Sequence, residues 1–333
     1  MQNFAVDYYE DGYKMLTTLP DSKRYLLVPE GQPVPRGLDE DVSILQEPLQ
    51  NIYLVASGAM DMFASVDAVD QIRFSGQKQE NWYIQTAKDA MAAGDMIYAG
   101  KYSKPDYELL VSEGCDLAIE NRMITHSPEV VEMLQSFDIP VMIEYSSYEQ
   151  HPLGKVEWVK FFGALTGKEA EAEEAFAEQT EILEEVESGE KTGKTIAFFY
   201  VTSNGLIQVR QSTDYIPKLI ELAGGRYIFE DLEDSGSGRS TLNMQVEDFY
   251  AGAKDADILI YNSSIDGGVT TLDELIGKCN ILKDFKAVQE GQVYCTTNDM
   301  YQQSMAIGYL LQDMHTVLTD DNTAKLRYLF LLQ

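Results

Sequence analysis

Basic residues are scarce in this chain of 333 residues. Lysine and arginine together number 25, against 55 aspartate and glutamate residues, which gives a formal net charge of −30 at pH 7. A field of that sign repels phosphate backbones and anionic membrane surfaces, so it argues strongly against nucleic-acid binding. Hydrophobic residues make up 44% of the chain, enough to build real cores, and the length fits two globular domains of ordinary size.

Cysteines and long apolar runs are also scarce. Cys115, Cys279 and Cys295 form no CxxC pair, so we expect buried free thiols in place of disulfides or metal ligands. No run of about 18 apolar residues is present, which predicts that no helix spans a membrane. The opening stretch, MQNFAVDYYEDGYK, has neither the basic nor the apolar segment of a secretory signal, so it does not predict a location.

The sequence has few of the residue patterns that catalysis requires. His126, His151 and His315 are its three histidines, too few for a zinc site without several carboxylates close by. No GxSxG, P-loop or HExxH motif occurs. We therefore expect no enzyme activity, no cofactor and no bare metal site.

Alternating apolar and helical segments are abundant instead. Residues 4–29 alternate apolar and polar side chains around turns at Asp11-Gly12 and Pro20-Asp21, which predicts a small antiparallel meander. From Ile52 onward, five short apolar strands are each followed by a helical stretch, and a similar alternation resumes after residue 190. This spacing predicts parallel sheets with helices on their faces, and a ligand crevice beyond the carboxyl ends of the strands.

A long acidic helix stands between the two similar halves. Residues 168–187 are expected to form about five turns, roughly 30 Å, after a small break at Gly167. The predicted fold class is α/β, with two Rossmann-like lobes joined by one long helix, a ligand cleft between them and an extra N-terminal meander. The expected divisions are residues 1–45 for the meander, 46–155 for the first lobe, 156–190 for the bridging segment and 191–333 for the second lobe.

Four stretches in this order resemble the substrate-binding proteins of ABC importers, in the class whose lobes are bridged by a rigid helix. They are DYELLVSEGCDLAIE, YSSYEQHPLGKVEWVKFFGALTGKEAEAEEAF, YIPKLIELAGGRYIF and VEDFYAGAKDADILIYNS. The resemblance covers roughly residues 45–320. It implies a monomer that captures a metal chelate, such as a ferric siderophore, haem or cobalamin, and delivers it to a permease dimer with its ATPase. It also implies a lipid-anchored position on the outer face of the cell membrane.

The resemblance further implies one exposed glutamate on each lobe that docks onto arginines of the permease. The matching residues are Glu108 and Glu247. Glu108 precedes Asp116 by eight positions, as the family pattern requires, whereas Glu247 precedes Asp257 by ten and Asp255 by eight. This spacing leaves Asp248 open as the alternative in the second lobe.

Polar and aromatic side chains that follow the predicted strands are the candidate ligand contacts, because they suit a planar or chelated organic ligand. The first lobe supplies Ser57, Met60, Trp82, Tyr98, Lys101, Tyr102, Asn121, Arg122, Tyr145 and Tyr148. The second lobe supplies Thr202, Asn204, Arg210, Ser240, Asn262, Asn298 and Tyr301. Two alternatives stay open: a nitrogenase-like metal-cluster protein, which needs cysteines at strand ends, and a surface sensor that has lost transport.

Overall fold

The computed structural model describes residues 3–232, 240–265, 268–320 and 325–333. The chain divides into two compact units. Unit 1 comprises Met1–Glu149, Gly154–Ala177 and Gln302–Met305, and unit 2 comprises Gln150–Leu153, Glu178–Tyr301 and Ala306–Gln333. The sequence-based divisions given above stay a prediction, and they did not foresee that residues 302–305 belong with unit 1.

The strands and helices up to Glu187, most of which lie in unit 1, follow the predicted alternation. The strands are β1 (Phe4–Tyr8), β2 (Lys14–Thr18), β3 (Lys23–Val28), β4 (Val42–Gln46), β5 (Ile52–Leu54), β6 (Ile72–Ser75), β7 (Ile97–Tyr98), β8 (Gly100–Lys101), β9 (Lys104–Pro105), β10 (Leu117–Asn121) and β11 (Val141–Glu144). The helices are α1 (Ala59–Ser65), α2 (Gln85–Ala93), α3 (Tyr107–Ser112) and α4 (Pro128–Ser136), then α5 (Pro152–Thr166) and α6 (Glu169–Glu187), which both cross a unit boundary.

The central sheet of unit 1 has the strand order β11-β10-β5-β6-β7. All its neighbouring strands pair in parallel, so the predicted parallel sheet is confirmed. Its first strand in sequence, β5, lies between β6 and β10, and the direction of winding reverses there. Tyr53, Phe74 and Leu134 belong to the core that covers one face of the sheet.

The N-terminal meander is confirmed, with β1, β2 and β3 paired antiparallel. A fourth strand, β4, pairs in parallel with β3 and was not predicted. The meander is fastened to the rest of unit 1 by the Tyr25 hydroxyl, which donates to the Val141 carbonyl at 2.8 Å. The Phe4 ring also packs edge-on against Trp158, with centroids 5.0 Å apart.

The predicted long acidic helix is α6, and the predicted break before it is real. Gly167 adopts φ 70° between α5 and α6, a conformation that favours glycine. Lys14 of the meander contacts the helices on both sides of this break. Its ammonium donates to the Ala164 carbonyl of α5 at 2.9 Å and lies 2.8 Å from the Glu169 carboxylate of α6. The division between the two units falls inside α6, after Ala177.

Unit 2 is built around a mixed sheet. Its strands are β12 (Thr195–Val201), β13 (Ile207–Arg210), β14 (Arg226–Tyr227), β15 (Thr241–Met244), β16 (Ile258–Tyr261), β17 (Val293–Thr296) and β18 (Leu329–Leu331). Its helices are α7 (Tyr215–Leu222), α8 (Val246–Ala253), α9 (Leu272–Lys278), α10 (Lys286–Gln289) and α11 (Ile307–Thr319). Strands β12, β14, β16 and β17 pair in parallel.

Antiparallel strands β13, β15 and β18 extend this sheet beyond the predicted parallel core. The chain reverses after β12 because Thr202 to Leu206 form a tight turn, in which Gly205 has φ 80°. Helix α8 begins only at Val246, since Thr241–Met244 pair with β13 instead.

Candidate ligand-binding site

Each unit has a point where the strand order reverses at the carboxyl edge of its parallel strands. In unit 1 this point lies between β5 and β10, and in unit 2 it lies between β12 and β16. Loops that leave adjacent strands in opposite directions open a crevice there, which is where open α/β sheets bind ligands. Thr202 and Asn262 directly follow β12 and β16, Asn121 is the last residue of β10, and Ser57 comes three residues after the end of β5.

In unit 1, an arginine and a tyrosine stack beyond β10 and β11. The guanidinium carbon of Arg122 lies 4.5 Å from the centroid of the Tyr148 ring, a cation–π distance. Tyr148 is 39% exposed, so the pair presents a charged and aromatic surface to solvent. Asn121 begins this turn by accepting the backbone N–H of Met123 on its side-chain oxygen at 2.8 Å.

Tyr145 lies beside this pair and is held by the meander. Burial raises the pKa of the Tyr145 hydroxyl, Asp21 adds to the rise by its charge and hydrogen bond, and Arg122 acts against it. Asp21 is fixed in turn by the Thr18 hydroxyl, which donates to its carboxylate at 2.6 Å. Sequence reasoning missed Asp21, because 124 positions of chain separate it from Tyr145.

The other predicted residues of unit 1 are spread over the sheet. Tyr98 ends the edge strand β7, and Lys101 and Tyr102 follow it. This strand lies four strand spacings from β11, or about 19 Å. Met60 and Trp82 have essentially no exposed surface, and the Trp82 indole donates to the Ser75 hydroxyl at 3.0 Å. Those two side chains support the loops from within, and any part they play in binding is indirect.

In unit 2, Arg210 is buried under the candidate site. Its side chain is only 8% exposed and lies 3.5 Å from the Asp214 carboxylate, while the Tyr227 hydroxyl bonds both its backbone N–H and carbonyl. Burial disfavours the charged guanidinium, yet Tyr301, Asp214 and Tyr215 outweigh that effect and hold the pKa of Arg210 above its ordinary value. Arg210 is therefore a fixed positive charge that its own neighbours hold in place.

The hydroxyl of the half-buried Tyr301 is the group that contacts this buried charge. It accepts a hydrogen bond from the Arg210 guanidinium and a second from the Asn262 amide at 2.7 Å. A phenol has two acceptor positions and one donor, so its own O–H remains available to a third group. Burial raises the pKa of Tyr301, although Arg210 and Asn262 oppose the rise, and the phenol stays protonated at neutral pH.

The remaining predicted residues of unit 2 form turns around this centre. Thr202 donates to the Asn204 side-chain oxygen at 2.6 Å within the turn after β12. Asn298 accepts from the Ser263 hydroxyl at 3.0 Å in the turn after β17. Ser240 uses its carbonyl to accept the Gln211 backbone N–H at 3.0 Å. The turns of Thr202, Asn262 and Asn298 thus follow the neighbouring strands β12, β16 and β17.

Glu108 and Glu247 occupy the same position in two equivalent helices. Each is the second residue of its helix, α3 or α8, and each is exposed. Asp116 accepts the Asn51 backbone N–H at 2.9 Å, and Asp257 accepts the Thr195 backbone N–H at 2.7 Å, in each case just before the first parallel strand of the unit. Asp257 is therefore the counterpart of Asp116, and the spacing differs because α8 has eight residues where α3 has six.

Glu120 is a buried carboxylate that the sequence analysis did not predict. Glu120, at the end of β10, has no exposed surface, and neither of its side-chain oxygens has a hydrogen-bond partner among the described residues. Burial raises the pKa of Glu120 to about 8. The sequence offered a signal, because an acidic residue in the apolar run LAIE is unusual, but only the packing of the sheet shows that it points inward.

The cysteines and acidic residues show no metal centre within the described residues. No group of three or more His, Cys, Asp or Glu side chains there is arranged to hold a metal ion. Cys279 and Cys295 are buried free thiols as predicted, whereas Cys115 is half-buried, and burial raises its pKa to about 12. No helix within the described part of the chain is long and apolar enough to cross a bilayer.

A family model described as "Periplasmic binding protein" matches residues 60–300 of this chain. An uncharacterized lipoprotein of Methanocaldococcus jannaschii is 25% identical over 314 residues, which cover 89% of this chain and 72% of that protein. These two matches come from sequence alone.

The fold of this chain is similar to the folds of solved bacterial binding proteins. A possible iron-binding (periplasmic solute-binding) protein of Staphylococcus epidermidis aligns with a TM-score of 0.62 and 17% identity, covering 81% of this chain and 98% of that one. A periplasmic heme binding protein of Vibrio cholerae aligns with a TM-score of 0.63 and 14% identity, covering 80% and 98%. At such low identity these likenesses establish a common fold.

Proposed function

This chain belongs to the periplasmic binding protein family, and from that premise we propose that it captures a metal chelate for an ABC importer. The cargo we propose is a ferric siderophore, haem or cobalamin, and the recipient is a permease dimer with its ATPase. We place the protein as a lipid-anchored monomer on the outer face of the membrane. A related lipoprotein and structurally similar iron-binding and heme-binding proteins support this assignment.

The observation that carries the choice of ligand is the Tyr301 hydroxyl. Because Arg210 and Asn262 both donate to it, its proton points away from them and requires an acceptor. The carboxylate, hydroxamate, catecholate or amide oxygens at the rim of a metal chelate are such acceptors. The nearby buried charge of Arg210 strengthens this donor towards an anionic group.

The Arg122–Tyr148 pair supports the same class of ligand from unit 1. An exposed aromatic ring under a guanidinium offers both a flat apolar face and a positive charge. Planar or disc-shaped chelates with anionic edges use both. In a protein with a net charge of −30, a cation retained at such a position favours an anionic ligand over a cationic one.

The test is Tyr301→Phe, which removes the hydroxyl and leaves the ring. Fluorescence quenching would measure the Kd for haemin, cyanocobalamin and a ferric trihydroxamate, with Tyr294→Phe as control, since Tyr294 is a half-buried tyrosine of the same unit outside the site. We expect the chelate that binds to lose about five- to thirtyfold in affinity with the first variant and nothing with the second. Failure of the unmodified protein to bind any chelate would refute the proposed cargo.

Delivery is tested separately with Glu108→Ala and Glu247→Ala. Exposed carboxylates can orient a transient contact with arginines of a permease. We expect the double variant to bind ligand normally and to fail in uptake by proteoliposomes that hold the permease and ATPase of the same organism. Undiminished uptake would remove both residues from docking while leaving the binding role in place.

A further inference from the structure

Four side chains on α3 and α4 form an exposed apolar patch on unit 1. Val111 is 48% exposed, Met133 44% and Phe137 43%, and Tyr107 is half-buried next to them. Tyr107 and Val111 are four residues apart on one face of α3, as Met133 and Phe137 are along α4. The Tyr107 and Phe137 rings join the two helices, with centroids 6.1 Å apart.

The corresponding helix of unit 2 shows no such patch among the described residues. Tyr250 of α8 packs edge-on against Phe285 at 5.6 Å, and the Lys254 ammonium lies 5.8 Å from its ring centroid. Large apolar side chains scattered singly over a surface need no explanation, but a contiguous group next to polar residues indicates an interaction site.

Acidic residues edge this patch. Glu108 is three residues before Val111 on α3, and Glu129 is four residues before Met133 on α4, so each lies beside a member of the patch. Both are exposed. Burial raises the pKa of Tyr107, and the charge of Glu129 raises it further, which places that carboxylate close to the ring. An apolar centre with an acidic rim matches a partner with an apolar centre and a basic rim.

We propose that the patch formed by Tyr107, Val111, Met133 and Phe137 is the affinity-bearing contact with the permease. The assignment rests on the proposed transport function, and the patch adjoins Glu108, the docking carboxylate of that function. Apolar contact supplies the affinity and Glu108 orients the approach, whereas unit 2 contributes carboxylates alone. Docking is thus asymmetric, with the stronger contact made by unit 1.

The experiment compares Met133→Ser with Phe137→Ser, singly and together, and uses Val34→Ser as the matched control because Val34 is equally exposed, at 49%, elsewhere in unit 1. Binding to the permease–ATPase complex in nanodiscs is measured at low and high salt, alongside the Kd for haemin or whichever chelate binds. We expect the double serine variant to bind the complex at least about thirtyfold more weakly at both salt concentrations, as for a hot spot. The control should match the unmodified protein, and chelate affinity should not change.

Glu108→Gln gives a second and independent readout. Its loss of binding is expected to be large at low salt and small at high salt, since charge contacts are screened, whereas the serine variants lose the salt-independent part. Normal permease binding by the double serine variant would overturn the patch assignment while leaving the transport function standing. No permease binding by the unmodified protein would count against the transport function itself. A dimer of the unmodified protein that the serine changes convert to monomer would overturn the assignment in favour of a second copy of this chain.

Discussion

Strand β10 of unit 1 and strand β16 of unit 2 occupy equivalent positions in their sheets, but different side chains follow them. Each pairs in parallel with the first parallel strand of its unit, which is β5 or β12. Each also follows an aspartate, Asp116 or Asp257, whose carboxylate accepts a backbone N–H at the start of β5 or β12. With Asp116 matched to Asp257, Glu120 corresponds to Tyr261 and Asn121 to Asn262. The two strands then diverge, because Arg122 follows in unit 1 and Ser263 in unit 2.

The difference concerns where each unit keeps its positive charge. Unit 1 places Arg122 on an exposed tyrosine ring, at the end of a strand that buries an uncompensated carboxyl group, Glu120. Unit 2 instead buries Arg210 beside the Asp214 carboxylate, and the Arg210 guanidinium donates a hydrogen bond to the half-buried Tyr301. A partly exposed cation such as Arg122 can be changed at less cost to folding than a buried cation that is paired within the fold.

The largest expected effect is the loss of stability in Arg210→Ala. Removing this guanidinium takes away the cation that lies 3.5 Å from the buried Asp214 carboxylate, and breaking a buried pair costs about 3–5 kcal/mol. Hydrogen exchange of the amides in β12 and β16 would measure the loss. Both tryptophans, Trp82 and Trp158, lie in unit 1, so their fluorescence should report an unchanged unit 1.

Arg122→Ala is the matched change in unit 1. We expect it to alter the free energy of unfolding by less than about 1 kcal/mol, because the half-buried Arg122 stacks on an exposed ring, and to weaken chelate binding. Equal destabilisation by the two alanine variants would remove the proposed distinction between a surface and a structural arginine.

The second effect is the pH dependence that Glu120 gives to unit 1. Because its pKa rises from 4.5 to about 8 on folding, the folded state holds a proton that the unfolded state loses between those values. Stability therefore falls as pH increases from about 4.5 to 8, by about 1.4 kcal/mol per pH unit and about 3 kcal/mol by pH 7. Above pH 8 this contribution is constant.

Glu120→Gln should remove that slope, since the amide does not titrate. Urea denaturation between pH 5 and 9, followed by tryptophan fluorescence, would compare it with the unmodified protein. Tyr261→Phe, the matched change in unit 2, should leave the slope of unit 1 intact. The interpretation of Glu120 is wrong if the slopes with glutamate and glutamine coincide.

The smallest effect separates the two equivalent aspartates. The Asp257 carboxylate accepts hydrogen bonds from the backbone N–H and the hydroxyl of Thr195, and it forms an ion pair with Lys286 at 2.5 Å. The Asp116 carboxylate accepts hydrogen bonds from the backbone N–H groups of Gln50 and Asn51. We expect Asp257→Ala to cost about 2–3 kcal/mol and Asp116→Ala about 1.5 kcal/mol, from hydrogen bonds to charged groups. A larger loss at Asp116 in chemical denaturation would contradict this order.

Asp255→Ala is the control for that comparison. Asp255 has the spacing from Glu247 that the first unit suggests, but it is exposed, so its loss should leave the stability of unit 2 within about 0.5 kcal/mol of the unmodified protein.

Local pattern predicted those elements whose hydrogen bonds close within the element or follow a strict alternation. The strand–helix units from Ile52 onward, the antiparallel start of the meander and the long helix after Gly167 were all predicted in this way. The pattern missed β4 and β15, and it did not show that β13 and β18 pair antiparallel with the second sheet. A strand is defined by its partner, and for β15 that partner begins 34 positions earlier in the chain.

The residues of the candidate site also divide into those that local sequence predicted and those that only tertiary contacts identify. The sequence alone placed polar and aromatic residues after the strands, because the end of a strand is a local feature, and the family resemblance matched Glu108 to Glu247. Only the tertiary structure decided that Met60 and Trp82 face inward, that Asp21 reaches Tyr145, that Asp257 is the partner of Asp116, and that Arg210 acts through Tyr301. Each of these depends on contacts between distant parts of the chain, whose energies arise only when folding removes water from both sides.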